Sequence, residues 1–202
     1  MNGMKTFLHV GCGPMQKDGT TRTFNTPEWK EVRFDIDASV NPDVTGTMVN
    51  MDAVESGSVD AIFSSHNIEH LYPHEVPLAL GEFLRVLRDD GFVVISCPDL
   101  QSICQLVVDD KLTETAYMSS VGPISAIDVL YGHREPMAKG NLYMSHRTGF
   151  TQRTLGNALA DAGFQSVVTD VRPQHFDIWA LATKSRRKNE DLGALAEAHF
   201  PY

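Results

Sequence analysis

The sequence predicts an α/β domain built on a mostly parallel sheet. Strand-like apolar runs alternate with helix-like periodic segments. The first such run stops at a Gly-x-Gly turn, and an acid closes the next run about twenty residues later. A length of 202 residues with 42% hydrophobic and 21% charged side chains places the chain in the ordinary globular class, large enough for one substantial core.

Composition also excludes several classes. No apolar run approaches the eighteen or so residues of a membrane span, and residues 1–6 are too few and too polar for a secretory leader. A cytoplasmic location and no membrane partner are the expectation. A net charge of −9 argues against a general nucleic-acid surface, which needs clustered Lys and Arg. Cys12, Cys97 and Cys104 are odd in number and form no CxxC pair, so they are expected to be buried free thiols.

Taken in order, the clearest strands are 6–10, 32–36, 59–63 and 92–96, with a late pair at 167–171 and 178–183. Val76, Leu80, Phe83, Leu84 and Leu87 recur at helical spacing, with Pro77 in the first turn and Gly91 as a left-handed cap. A second amphipathic helix starts at Thr151 as N-cap, buries Leu155, Ala158, Leu159 and Ala162, and stops at Gly163. Residues 99–150 have no dominant period and carry several Gly and Pro residues, which predicts an irregular, partly helical insertion. After "SRRKNED", Leu192, Leu195, Ala196 and Phe200 suit a short docked helix. The expected organisation is a domain over 1–184, with 99–150 as its substrate-side insertion or lid, and a tail over 185–202.

Gly11 and Gly13 with Asp35, or with Asp37, meet the physical requirement for holding a nucleoside. Glycine lets a ligand approach the backbone, and the carboxylate accepts hydrogen bonds from ribose hydroxyls. The dinucleotide fingerprint fails, because Gln16 stands at the third glycine's place and Pro14 interrupts the sequel. The polar, Thr-rich stretch 15–27 further predicts that no helix follows the turn. A nucleoside without a pyrophosphate fits this pattern better than a dinucleotide.

The ordered series "LHVGCGP", "RFDIDAS", "PDVTGTM", "SVDAIFSSHNIEHL", "FLRVLRDDGFVVISCPDL" and "LADAGF" resembles the class I S-adenosylmethionine-dependent methyltransferases, near their compact bacterial type-11 group. The resemblance implies a Rossmann-like three-layer sandwich with a mostly parallel seven-stranded sheet and an antiparallel final strand. It implies S-adenosylmethionine as cofactor, with Gly11, Cys12 and Gly13 around the methionine portion, Asp35 on the ribose and Ile36 against the adenine. Residues 48–52 would supply the adenine edge contact, from Asn50 or Asp52 with Met51 between them. Ser64, Ser65 and His66 would stand beside the reactive methyl group.

His66 is the candidate general base, since an imidazole accepts a proton near neutrality. His66, Glu69 and His70 fall on one face if the segment is helical. They are similar to the E-x-x-E-H metal motif of small-RNA 2′-O-methyltransferases and of some quinone O-methyltransferases. A histidine at the first position disfavours magnesium, and metal-free members carry the same Glu-His pair, so no metal ligand is assigned.

In the insertion, Arg134, Lys139, Arg147 and Arg153 meet only Glu135 among acids within "YGHREPMAKGNLYMSHRTGFTQR". Such a basic patch suits an anionic group on a small-molecule substrate. Tyr143, His146 and Arg147 are the expected substrate-side residues. The reading is methyl transfer to an oxygen or nitrogen of a small acceptor. The competing one is a nucleoside-binding or interaction protein that keeps the fold without turnover. The oligomeric state is left open.

Overall fold

The computed structural model describes residues 3–119 and 121–201. Seven strands form one sheet: β1 (Lys5–Val10), β2 (Trp29–Asp35), β3 (Val44–Thr45), β4 (Val59–Ser65), β5 (Leu87–Pro98), β8 (Ser166–Arg172) and β9 (Asp177–Thr183). Their order across the sheet is β3-β2-β1-β4-β5-β9-β8. β1 pairs in parallel with both β2 and β4, and β4 in parallel with β5. β9 runs antiparallel to β5 and to β8, as the late pair of apolar runs predicted. This is the expected Rossmann-like α/β sandwich.

One face is covered by α1 (Val76–Val86) and α5 (Gln152–Ala162), whose Leu80, Phe83, Leu155 and Leu159 join Leu8, Ile62 and Ile95 of the sheet in the larger core. α5 has the predicted ends: the Thr151 hydroxyl accepts the Thr154 N–H, and Gly163 takes a left-handed φ of 111°. α1 does not run on to its predicted cap. It stops at Val86, Leu87 is already extended, and Gly91 lies inside β5. Crowding favours glycine there, since a Cβ would stand 3.0 Å from the Arg88 carbonyl and 3.1 Å from that of Asp60.

The opposite face lacks a helix between β1 and β2, as Pro14 and the Thr-rich stretch predicted; only a 3₁₀ turn, Lys17–Gly19, interrupts the loop. Phe24 from that loop and Leu192, Ala196 and Phe200 from α6 (Asn189–His199) and the residues after it fill the second core with Phe7, Phe63 and Phe92. The segment 185–201 thus supplies part of the cover that a first helix would give.

The insertion holds α2 (Leu100–Val108), a hairpin of β6 (Thr115–Ser119) and β7 (Gly122–Ser125), α3 (Ala126–Tyr131) and α4 (Arg134–Ala138). It has its own small core of Ile103, Ile124, Ala126 and Val129. The hairpin was not foreseen, because its strands are short and half-buried and carry little periodicity. Cys12 and Cys97 are buried, whereas Cys104 on α2 is exposed, contrary to expectation. Among the described residues no helix is long and apolar enough to cross a membrane.

Candidate active site

The order of the strands reverses between β1 and β4, and ligand crevices of open α/β sheets form at such a switch point, beyond the carboxyl ends of the strands. A cavity of about 350 Å³ opens there, within the range of small-ligand sites. It brings together Gly11, Gly13, Asp35, Ile36, His66, Tyr143 and Arg147 of the predicted residues. Thr47, Met48, Asn67, His70, Glu75 and Asn141 also line it.

The two glycines do different things. Gly11 has a φ of 67°, and a Cβ on it would fall 2.2 Å from Cγ of Asn67, so the neighbouring side chain demands glycine. Gly13, with a φ of 51°, has nothing within 4 Å of an added Cβ. Its bare side faces open space, which is where a ligand can approach the main chain.

Asp35 ends β2, and its two carboxylate oxygens accept the N–H of Gly13 at 2.7 Å and of Asp37 at 2.9 Å. Each oxygen keeps a second lone pair for a ribose hydroxyl. Asp37 also lines the cavity, and its own carboxylate accepts the Ser39 N–H at 2.9 Å. The buried Arg33, unremarked in the sequence, donates to the carbonyls of Gly13, Met15, Val40 and Asn41. One guanidinium therefore ties together the loop after β1 and the loop after β2.

Ile36 lies just past the strand and is 48% exposed at the cavity wall. Cys12 is buried and does not line the cavity, and burial raises its thiol pKa to about 11, so it stays a neutral thiol. Of residues 48–52, only Met48 reaches the cavity. Asn50 and Asp52 are exposed away from it, and the buried Met51 donates its N–H to Glu82 at 2.6 Å. Ser64 is buried under the floor, where its hydroxyl accepts from Asn67 at 3.3 Å.

The segment read as one helix face is instead a tight turn. His66 sits in a left-handed conformation, φ 48°, that costs a non-glycine residue energy, and Ile68–His70 is a single 3₁₀ turn. His66 Nδ1 stands 3.6 Å from Glu69 Oε1, and its side chain remains 48% exposed on the cavity wall. Desolvation opposes protonation of His66, but the Glu69 carboxylate outweighs it and its pKa is raised. For Glu69 itself burial again opposes charge, and the neighbouring His66, His70 and His146 outweigh it, so its pKa is lowered.

The insertion returns to this turn. The N–H groups of Arg147 and Thr148 both donate to the Glu69 carbonyl, at 2.9 and 3.2 Å. His146 is thereby held off the cavity, with Nδ1 2.6 Å from the Val129 carbonyl, and its pKa is lowered chiefly by burial. The basic patch is smaller than the sequence suggests: Arg134 is engaged by Asp128, just outside the quoted stretch, at 2.6 Å, and Lys139 by Glu135 at 2.6 Å. Arg147 is exposed at the cavity, its guanidinium 4.8 Å from the Tyr72 ring centre.

Residues 8–95 match the family model described as "Methyltransferase domain". Over that stretch, which is less than half of the chain, the sequence is similar to class I methyltransferase domains. The cofactor of that class is S-adenosylmethionine. A methyltransferase of Archaeoglobus fulgidus, described as dependent on that cofactor, superposes with a TM-score of 0.54 at 14% identity, over 90% of this chain and 87% of that one. The 1,6-didemethyltoxoflavin-N1-methyltransferase of Burkholderia thailandensis, solved with S-adenosylhomocysteine, gives 0.57 at 15% identity, over 91% and 72%. A methyltransferase of Aquifex aeolicus gives 0.53 at 15%, over 91% and 85%. No curated protein sequence matches the chain. At these identities the likeness is one of fold.

Proposed function

We propose that the protein transfers a methyl group from S-adenosylmethionine to an oxygen or nitrogen of a small, anionic acceptor. The observation that carries this reading is the cavity at the strand switch point, where the open side of Gly13 and the Asp35 carboxylate face one space inside a methyltransferase domain. Gly11 and Gly13 would flank the methionine portion, Asp35 the ribose and Ile36 the adenine. When bound, the cofactor supplies an electrophilic methyl on a sulfonium, and S-adenosylhomocysteine is the product.

The chain's own part is binding, alignment and proton removal. Alignment of a nucleophile with a methyl group supplies much of the rate in a displacement. Arg147 and Tyr143, at the cavity wall, would orient an anionic acceptor. His66, the imidazole on the same wall, is placed to take the acceptor's proton. Calorimetric titration with S-adenosylhomocysteine tests the reading. One equivalent bound is the expected result, and no binding at millimolar ligand would refute it. Binding without turnover across a panel of hydroxyl, amine and carboxylate acceptors would favour the non-catalytic alternative.

A further inference from the structure

We propose that Glu69, His70 and His146 form a binding site for a divalent transition metal ion of the zinc or iron(II) type. One ligand atom from each lies within 4.8 Å of the others. Opposite ligands of one ion are about 4.2 Å apart, twice a bond of roughly 2.1 Å, so small side-chain rotations close the set.

Two independent observations point to a ligand. Both carboxylate oxygens of Glu69 are buried without a hydrogen-bond partner, and they are the only side-chain atoms in that state among the described residues. A buried carboxylate left unpaired costs several kcal/mol, and the histidine facing it, His66, stands at 3.6 Å, beyond a good hydrogen bond. The second observation is the direction of the two imidazoles. His70 Nδ1 is 3.0 Å from the Ser145 carbonyl, and His146 Nδ1 is 2.6 Å from that of Val129. A carbonyl only accepts, so each Nδ1 carries the hydrogen and each neutral ring keeps its lone pair on Nε2. Backbone carbonyls fix metal-binding histidines in this way.

Two imidazoles and one carboxylate suit zinc or iron(II), with coordination positions left open. Magnesium prefers an all-oxygen shell and is disfavoured. His70 lines the cavity beside His66, so an ion at this site would face the space assigned to the acceptor, where an open position takes an oxygen of the substrate. The ligand set is split between the turn after β4 and the insertion, and His146 was assigned from sequence to substrate alone.

The purified chain, stripped with a chelator, should be titrated with zinc and separately with cobalt(II). The expected result is one equivalent bound with micromolar affinity or tighter, and a rise in Tm with added zinc. Glu69→Gln and His146→Gln should each weaken binding at least about 100-fold, while His74→Gln, an exposed histidine on Tyr72, should not. Cobalt(II) gives a readout independent of any variant, because nitrogen ligation intensifies and shifts its visible absorption. An aqueous-type cobalt spectrum, absence of a stoichiometric zinc site, or undiminished binding in both ligand variants overturns the proposal. Titration with S-adenosylhomocysteine reads the cofactor site separately, so failure of one assignment leaves the other standing.

Discussion

Two regions of this molecule bury a glutamate beside a histidine, and they handle it in opposite ways. Between β1 and β2, His9 Nδ1 meets Glu31 Oε1 at 2.7 Å, a closed pair on the face covered by Phe24 and α6. Around it Arg33 satisfies four carbonyls, and His199 shares a 3.0 Å hydrogen bond with the Thr21 hydroxyl. At the turn after β4, three imidazoles surround Glu69 and none reaches its oxygens within hydrogen-bonding distance. Burial of a charge is therefore not what distinguishes a site. The distinguishing property is bonding capacity left unused in a place the chain has gone to some length to enclose.

The contrast is broken or sharpened first at Arg33. Arg33→Met would strand several carbonyls in the region where helices are missing, at a cost of about 3 kcal/mol. Thermal unfolding should show a Tm fall of about 6–12 °C. A shift under 2 °C would mean that the loops are held by something else.

Next in size is the response to acid. Burial, with Lys5 adding, depresses the His199 pKa from 6.5 to about 4. The unfolded state then binds a proton that the folded state refuses, so stability is lost as pH falls from about 6.5 toward 4 and is unaffected above that window. The loss should be about 2 kcal/mol at pH 5. Denaturant titrations at pH 7.5 and 5 of the wild type and His199→Phe should isolate it; an equal acid loss in both would remove His199 as the cause.

Asp35→Ala takes away the ribose acceptor and the tie to Gly13. S-adenosylhomocysteine should bind at least tenfold more weakly by calorimetry, a change of about 1.4 kcal/mol or more. An unchanged Kd would refute the assignment.

The smallest effect bears most directly on the comparison. Glu31→Gln exchanges a charge-assisted hydrogen bond for a neutral one and should lower stability by about 1 kcal/mol. Glu69→Gln breaks no hydrogen bond and removes a buried, unpaired charge, so it should raise the stability of the metal-free chain. Urea midpoints of the two variants would decide, and a cost at Glu69 would show that its imidazoles already satisfy it.

Six of the seven strands of the main sheet, α5 with both caps and the absent first helix were legible because each rests on local chemistry: period, cap residues and Pro14; the two-residue β3 and the β6–β7 hairpin carry too little period to be read. The start of α1 was legible in Pro77, but its end was not, since Gly91 signals crowding between backbones that only the sheet reveals. Gly11, Gly13, Asp35, Ile36 and His66 were traceable because strand ends carry them to one edge. Arg33 was not, because a buried arginine that bonds carbonyls leaves no spacing pattern. Nor was the place of His146, rather than His66, beside Glu69 and His70. That depended on a left-handed residue turning His66 toward solvent, and on a chain segment 76 residues beyond His70 coming back beside it.

That return has a consequence for how the protein assembles. Arg147 and Thr148 reach the Glu69 carbonyl only after a loop of nearly eighty residues has closed. The sheet from β1 to β5 is laid down by nearer neighbours, so the crevice acquires its outer wall late and can lose it without global unfolding. Amide hydrogen exchange at Arg147 and Thr148 therefore reads the opening of that wall apart from the stability of the sheet, and a ligand bridging the two sides would slow exchange at those two amides first.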